Sequence, residues 1–297
     1  MNGVLPLWKP RGLTSHDCVN QVRKLFHTRK VGHTGTLDPE AEGVLPVCIG
    51  KATTLVPYLQ NEDKTYIAQV TLGIATDTED AEGNIVSEKE ILILPTNQEI
   101  DAVLAQFLGK IIQVPPMYSA VKVKGKKLYE YARNKQEVER PKRTVTIYNI
   151  KRLDAISTNN SFYIQVTCSK GTYIRTLCVD IGKQLGFPAH MSRLKRIQSG
   201  SISEKDTVTF SQIEHALAEN KETSLLISML EALKGMDQIE VNSEQKRKVI
   251  HGQILDKPQK KLKTNPFTVN FEGNLLAIYE IHPKHPDCIK PVRILNE

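Results

Sequence analysis

One stretch of the sequence gathers side chains that could do chemistry. Residues 32–43 read GHTGTLDPEAEG, so a histidine (His33), a carboxylate (Asp38) and three glycines fall close together. A carboxylate in such a loop can act as a nucleophile or a general base, and loops carry many catalytic groups. Each residue also has a structural interpretation, because Asp38 before Pro39 suits a helix start and the glycines suit turns. The loop alone leaves both interpretations open.

A second cluster, residues 169–177 (SKGTYIRTL), follows an alternating strand and opens a predicted helix. Arg175 lies one turn into that helix, where its guanidinium could meet a carboxylate and lower the pKa of that carboxyl. Tyr173, and Tyr66 earlier in the chain, offer rings on which an unpaired base could stack. Taken singly, each tyrosine is better explained as a half-buried sheet residue.

Several familiar catalytic and metal-binding motifs are missing from the sequence. The loop at 32–43 is neither a P-loop nor a dinucleotide-binding fingerprint, and there is no G-x-S-x-G or H-E-x-x-H motif. His282 and His285 have ligand-like spacing, but Pro283 and the basic neighbours favour a solvated turn. We therefore predict no metal site.

Positive charge is concentrated in one segment. The formal net charge is +7, and residues 122–152 alone carry eleven Lys or Arg against three Glu. The rest of the chain is close to neutral. A focused basic patch favours a polyanionic partner, because neutralised phosphates release counterions and the field steers encounter. A solvated, lysine-rich surface is the alternative.

Length and composition bound the class of protein. At ~150 residues per domain, 297 residues correspond to about two domains. No apolar run approaches the ~18 residues that span a bilayer, and the N-terminal residues lack the pattern of a signal peptide. The five cysteines are scattered without a C-x-x-C pair, which favours reduced, packed thiols. We expect a cytoplasmic protein.

Helix and strand patterns alternate irregularly, which predicts an α+β fold. Helices are expected at 17–26, 52–59, 97–108, 128–133, 174–185 and 210–217. Strands are expected at 3–10, 44–50, 66–72, 117–124, 144–153 and 161–167. Short β-type runs at 267–271 and 275–281 predict a small, mostly-β module at the C-terminal end.

Considered together, the motifs resemble those of one family. Residues 32–39 (GHTGTLDP) and 43–46 (GVLP) are similar to the signature of the bacterial tRNA pseudouridine(55) synthases, the TruB family. The resemblance extends in order along nearly the whole chain, at the family's spacing, through residues 63–66, 76–83, 113–122, 169–175, 276–280 and 290–293. Such a set of motifs is highly specific.

The resemblance implies a reaction, the isomerisation of uridine 55 in the T loop of tRNA to pseudouridine, without metal, cofactor or guide RNA. The N-glycosidic bond is broken, the base rotates, and C5 is joined to the ribose. Asp38 corresponds to the family's catalytic aspartate, and Arg175 to the arginine that pairs with it. Three roles for Asp38 remain open: attack on the ribose C1′, addition to the base, and removal of a ribose proton.

The resemblance also implies contacts with the substrate. Tyr66 corresponds to the tyrosine that packs against the uracil ring and is a candidate for the late C5 proton transfer. Tyr173 and Leu194 correspond to residues lining the same pocket. His33 corresponds to the histidine that enters the T loop once the target uridine is flipped out. Lys122 begins the basic segment, which falls where the family carries an insertion that closes over the T arm.

The implied fold is α+β. A pseudouridine synthase catalytic domain at 1–236 has a mixed, mainly antiparallel sheet and the basic insertion at about 122–152, and a small, mostly-β, PUA-like RNA-binding domain follows at 237–297. We expect a monomer that binds tRNA and has no membrane or guide-RNA partner. A non-catalytic tRNA-binding or tRNA-folding protein on this scaffold is the alternative, but it gives no reason to retain Asp38. A guide-dependent relative is a third possibility, disfavoured because long charged tails are lacking.

Overall fold

The computed structural model describes residues 1–157 and 159–295, and four of its five helices of eight or more residues begin at a capping side chain. The N-cap side chains of these four helices accept a hydrogen bond from the backbone N–H three positions later: Thr14, Thr96, Thr209 and Asn242. The helices are α1 (Ser15–Leu25), α2 (Val56–Leu59), α3 (Asn97–Ala105), α4 (Leu128–Arg133), α5 (Ile174–Gln184), α6 (Phe210–Ala218), α7 (Met229–Ala232) and α8 (Ser243–Ile250). Short 3₁₀ helices lie at Gly50–Leu55, Glu204–Asp206 and Glu222–Leu225.

The strands belong to one large sheet, a smaller C-terminal sheet and two hairpins. In the first half of the chain they are β1 (Gly3–Lys9), β2 (Val31–His33), β3 (Glu42–Ile49), β4 (Lys64–Leu72), β5 (Ile74–Thr76), β6 (Ile85–Glu88), β7 (Gly109–Gln113), β8 (Lys122–Val123) and β9 (Lys126–Lys127). In the second half they are β10 (Arg143–Arg152), β11 (Ser161–Cys168), β12 (Ala189–Ser199), β13 (Ile202–Ser203), β14 (Gln238–Glu240), β15 (Leu255–Asp256), β16 (Phe267–Phe271), β17 (Asn274–Ile281) and β18 (Cys288–Ile294).

The large sheet has the order β1-β3-β12-β4-β11-β10-β7, with β2 beside β3 and β13 beside β12. Its pairings are antiparallel except for the short contact between β12 and β3. The predicted α+β fold with a mixed, mainly antiparallel sheet is therefore confirmed. The apolar face of β4, β11 and β12 packs against α5 and α3 and forms the largest core cluster.

The central strand β12 was not among the predicted strands. It pairs with β4 along nearly its whole length, but the register shifts between Met191 and Arg193 and again between Arg196 and Gln198. Each shift reverses which side of the sheet the following residues face, so the two-residue alternation that marks a strand is broken. The sequence pattern therefore could not reveal this strand.

The C-terminal sheet has the order β14-β16-β17-β18-β15, and it confirms the expected small β module. The helix α8, which was not predicted, packs against β17 and β18. Leu275, Ile278 and Leu295 of this module share a core cluster with Val4 and Val44 of the large sheet. The apolar contact fixes the two sheets against each other. A domain boundary at residues 236/237 stays a prediction.

The basic segment is divided between two structures. Its first part forms the β8–β9 hairpin and α4, whereas its last ten residues are β10 of the large sheet. The part that stands outside the sheet therefore ends near residue 142. The reason is that 143–152 carries β-branched residues at Thr144, Val145 and Ile147, which pair with β7. The extent of the RNA-clamping insertion, about 122–152, stays a prediction.

Four of the five cysteines are buried, Cys288 is half-buried, and all five are free thiols, as the sequence predicted. Among the residues that the structure describes, no helix has both the length and the apolar character needed to cross a bilayer.

Candidate active site

Asp38 lies in the loop between β2 and β3. The preceding residue of that loop, Leu37, is held in place by Ser15 on α1. The Ser15 hydroxyl accepts a hydrogen bond from the Leu37 backbone N–H at 2.8 Å and donates to the Leu37 carbonyl at 3.1 Å. Both residues are buried. Because the loop backbone is held from both sides, the carboxylate that follows has little freedom.

A buried lysine holds the other end of this loop. The Lys9 ammonium donates to the carbonyl oxygens of Pro10, Pro39 and Ala41 at 3.0, 3.0 and 2.6 Å, and the residue is fully buried. Burial lowers the pKa of Lys9, while nearby acidic groups, including Asp38, act in the opposite direction. A cation held by carbonyls thus braces the backbone beside Asp38.

Arg175 connects Asp38 to two other parts of the chain. Its Nε lies 3.1 Å from Asp38 Oδ2, and its Nη1 lies 3.4 Å from Asp80 Oδ2. The guanidinium also donates to the carbonyls of Thr78 at 3.0 Å and Tyr118 at 2.9 Å. The resemblance implies the pairing of Arg175 with Asp38, and the structure adds the contacts with Asp80, Thr78 and Tyr118. The planar guanidinium fixes three segments around the carboxylate.

The pKa of Asp38 lies above its ordinary value. Burial is the main cause, because it disfavours the charged form; Arg175 opposes it, and Asp80 adds to it. The side chain is nonetheless 39% exposed to the cleft, so a ligand can reach it. Arg175 therefore acts in the predicted direction, but burial outweighs it.

Tyr66 and Leu194 come together through the pairing of β4 with β12. Tyr66 pairs with Arg196 and Ala68 pairs with Leu194, so both side chains lie on one face of the sheet. Both are half-buried and pack against the core beneath α5. Burial raises the pKa of Tyr66, and the Arg196 cation lowers it in part.

Tyr173 is placed by a buried glutamine at the end of β7. The side chain of Gln113 accepts from the Tyr173 N–H at 2.9 Å and donates to the Tyr173 carbonyl at 3.1 Å. Tyr173 is the N-cap residue of α5, whose first turn carries Arg175. Gln113 therefore fixes both residues.

His33 lines the cleft, whereas Lys122 does not. His33 ends β2 and lines the cleft, and its Nδ1 accepts from the Gly35 N–H at 3.3 Å. Burial lowers the pKa of His33, which favours the neutral ring. Lys122 is exposed on β8 and is not among the residues that line the cleft.

The cleft has a volume of about 740 Å³. Six of the seven predicted site residues line it, namely His33, Asp38, Tyr66, Tyr173, Arg175 and Leu194. Another wall of the cleft comes from residues just before and near the start of the basic segment, namely Tyr118, Ser119 and Tyr129. A carboxylate, a guanidinium and aromatic rings thus face a space large enough for a nucleotide.

Sequence reasoning missed Arg196, although it lines the same cleft. Its guanidinium is buried and donates from Nε to the Val44 carbonyl at 2.7 Å and from Nη2 to the Gly35 carbonyl at 3.2 Å. Gly43, with φ of +117°, passes so near that an added Cβ would collide with the Arg196 backbone. The sequence did not indicate that Arg196 is buried, because residues 189–199 include three other charged or amphipathic side chains and look like an exposed segment.

Within residues 1–157 and 159–295, no group of three or more His, Cys, Asp and Glu side chains could hold a metal ion. The rings of His282 and His285 lie 4.8 Å apart, and His282 Nδ1 accepts from the N–H groups of Lys284 and His285. The pair forms a hydrogen-bonded turn.

Family models match most of the chain. The model for the N-terminal domain of TruB family pseudouridylate synthases matches residues 23–174, and the model for the tRNA pseudouridylate synthase B C-terminal domain matches residues 175–239. Proteins named tRNA pseudouridine synthase B are similar over the full length. That of Oceanobacillus iheyensis is 55% identical, over 99% of this chain and 97% of its own. That of Listeria innocua is 48% identical, over 100% of this chain and 99% of its own.

Solved structures share the fold. The chain superposes on one in a Cbf5-Nop10-Gar1 complex with a TM-score of 0.75 at 27% identity, covering 98% of this chain and 83% of that one. A chain of the archaeal box H/ACA sRNP Nop10-Cbf5 complex gives a TM-score of 0.74 at 25% identity, and the match covers 99% of this chain and 86% of that one.

Proposed function

The chain belongs to the TruB family of pseudouridylate synthases, and we propose that it acts on uridine 55 in the T loop of tRNA, with Asp38 as the catalytic carboxylate. It is an isomerase that converts uridine in tRNA to pseudouridine. The position of the target, the roles of the site residues and the mode of RNA binding are our proposals.

One observation carries the assignment of Asp38. Its carboxylate lies 3.1 Å from the Arg175 guanidinium in a cleft that also presents Tyr66 and Tyr173. A reaction that breaks a glycosidic bond needs an oriented carboxylate within reach of the ribose. Arg175 supplies the orientation, and the partly exposed carboxylate is open to a flipped nucleotide.

The aromatic walls of the cleft account for binding of the base. We assign Tyr66 to one face of the uracil ring, with Leu194 and Tyr173 completing the pocket. The target uridine must leave its stack before its C1′ reaches Asp38. His33, whose pKa is lowered by burial, is suited to enter the T loop as a neutral ring, which keeps a charge out of the stack.

The basic segment is suited to the tRNA backbone. Exposed lysines of the β8–β9 hairpin, Lys122 among them, lie on the chain that continues from the cleft wall at Tyr118 and Ser119. Phosphate contacts from this hairpin would hold the T arm, while the shape of the loop would specify the target. We propose that the protein recognises the arm as a monomer and without a guide RNA.

Two further assignments complete the proposal. The C-terminal sheet, β14 to β18, serves as a second, PUA-like RNA-binding domain that extends the contact beyond the T arm. The free thiols favour a reducing compartment, and we therefore place the protein in the cytoplasm.

Mapping the product on a defined RNA tests the proposal. We expect wild-type protein to convert one uridine of an unmodified tRNA transcript, located by carbodiimide labelling and primer extension at position 55. A synthetic T-arm hairpin should be converted as well, whereas a hairpin whose loop sequence is scrambled should not. Conversion at another position would contradict the assigned target.

The non-catalytic alternative makes the opposite prediction. A tRNA-folding protein would bind the transcript and leave every uridine unchanged. The relatives from Oceanobacillus iheyensis and Listeria innocua are named as synthases and give this alternative no support. Binding without product would nevertheless establish it.

A further inference from the structure

Arg196 is a buried cation in the active-site cleft. Only 1% of the residue is exposed, and its hydrogen bonds at Nε and Nη2 go to the carbonyl oxygens of Val44 and Gly35. Carbonyl oxygens solvate a guanidinium but carry no net charge. In the part of the chain that the structure describes, no Asp or Glu forms an ion pair with Arg196. Burying an unpaired charge is costly, which calls for a functional reason.

The two arginines of the cleft therefore differ in whether a neighbouring carboxylate offsets their positive charge. Arg175 forms ion pairs with two carboxylates, Asp38 and Asp80, which offset its positive charge. Arg196 has no such partner. Of the buried cations that line the cleft, Arg196 and Lys64 form no ion pair with any residue that the structure describes, and Arg196 is the one directly opposite Tyr66 in the register of β4 and β12.

The groups around Arg196 respond to its charge. It lowers the pKa of Tyr66, its partner in the register of β4 and β12, and it also lowers the pKa of Lys64, His33 and Lys9. These four residues surround it from β4, β2 and β1. An unscreened cation has this effect on every titratable neighbour.

The proposed reaction creates a negative charge in the same place. When the C1′–N1 bond breaks, its electron pair leaves with the uracil, which becomes an anion. In the route of direct attack, an Asp38 oxygen forms the new bond to C1′; in the elimination route, Asp38 takes a ribose proton instead. Both routes consume the charge of Asp38 and place a charge on the base that Tyr66 contacts.

We propose that Arg196 is a positioning residue that places an uncompensated positive charge, through the neighbouring Tyr66 phenol, beside the uracil, and that this charge stabilises the anionic leaving group. The inference rests on the proposed function, because it requires cleavage of the glycosidic bond. Preorganised charges in a site from which water is excluded are large contributors to catalysis.

The test varies the residue and the leaving group together. Arg196→Gln removes the charge but keeps an amide that can donate to the two carbonyls, and Arg196→Lys keeps the charge without the planar fork. Arg193→Gln, on the same strand but exposed, is the matched control. The substrates are synthetic T-arm hairpins with uridine or 5-fluorouridine at the target, since fluorine stabilises the uracil anion. Single-turnover loss of the target nucleoside is followed by chromatography after nuclease digestion.

We expect Arg196→Gln to lower the rate on uridine by about 10²–10³-fold, as removal of one oxyanion-stabilising donor does elsewhere. On 5-fluorouridine the deficit should shrink at least tenfold, because the better leaving group needs less stabilisation. Arg196→Lys should recover most of the rate, and Arg193→Gln should match the wild type. Hairpin affinity should be unchanged in all three variants.

An equal loss on both substrates, or a wild-type rate for Arg196→Gln, would overturn the inference. If circular dichroism shows that Arg196→Gln does not fold, the comparison passes to Arg196→Met, which also removes the charge and whose deficit must likewise shrink on 5-fluorouridine. A wild-type protein that converts neither hairpin would instead contradict the proposed function, so the two failures are distinguishable.

Discussion

Gln113 holds the backbone of Tyr173 by two reciprocal hydrogen bonds, although the two residues lie far apart in the sequence. The contact joins β7, the edge strand of the large sheet, to the start of α5. Because α5 carries Arg175 in its first turn, one buried amide side chain sets the position of the guanidinium that orients Asp38.

Replacing this amide should affect both stability and turnover. In Gln113→Leu the Tyr173 N–H loses its partner and the Tyr173 carbonyl keeps only the Leu177 N–H, so we expect the free energy of unfolding to fall by about 1–3 kcal/mol. We also expect a slower single-turnover rate with little change in tRNA affinity, because Arg175 loses its support. Urea denaturation and rapid-quench kinetics measure the two effects.

Gln106→Leu is the matched control, since Gln106 is an exposed residue at the end of α3. It should leave both quantities unchanged. A Gln113→Leu variant with the stability and rate of the wild type would show that the pair does not position α5.

The sequence predicted those parts of the fold whose patterns are local. Local patterns predicted helices at 17–26 and 97–108, which are α1 and α3, and strands at 66–72 and 161–167, which are β4 and β11. The strand β12 escaped prediction because its two register shifts break the alternation. At Gly50–Leu55 the predicted helix is a 3₁₀ helix, because hydrophobic spacing does not separate the two kinds of helix over so few residues.

The candidate site shows the same limit. Motif resemblance identified Asp38, Tyr66 and Arg175, and the fold brings them to one cleft. Asp80 lies within the 76–83 motif, but the pattern did not say which side chain it would meet. Contacts between distant segments depend on tertiary packing, which a local sequence pattern does not show. For the same reason, the neighbouring residues in the sequence do not distinguish a buried arginine such as Arg196 from an exposed one.

A half-buried glutamate in the bend after α2, Glu62, makes stability depend on pH. Burial raises the pKa of Glu62 to about 7, and its carboxyl occupies the space beside Gly200. In the unfolded chain the carboxyl ionises at its ordinary, lower pKa. Between that value and pH 7 the folded state binds more protons, so its stability falls as the pH rises through this window.

Glu62→Gln should remove this loss. We expect the variant to match the wild type near pH 4.5 and to be more stable at pH 8 by on the order of 2 kcal/mol, a value discounted for partial exposure. Thermal or urea unfolding across this range measures the difference. Glu90→Gln, at an exposed position, should track the wild type. A constant difference between Glu62→Gln and wild type at all pH values would show that the carboxyl is not buried in this way.

The β8–β9 hairpin should contribute phosphate contacts. We expect the double variant Lys122→Ala/Lys124→Ala to bind tRNA more weakly and with a shallower salt dependence, because each lost contact lowers the slope of log K against log [salt] by about 0.7–0.9. Filter binding at several salt concentrations measures the slope. Lys205→Ala/Lys221→Ala removes the same charge from exposed sites outside the basic segment and should keep the wild-type slope. An unchanged slope for the hairpin variant would exclude it from the phosphate contact.

The central claim is that Asp38 breaks the glycosidic bond of a tRNA uridine. Pseudouridine formation must release the hydrogen at C5, so tritium release from a transcript labelled at C5 of its uridines reports the reaction. We expect release by wild type and by Glu40→Gln, a change in the same loop, and none by Asp38→Asn, with tRNA binding retained by all three. Release by Asp38→Asn at the wild-type rate would contradict the account.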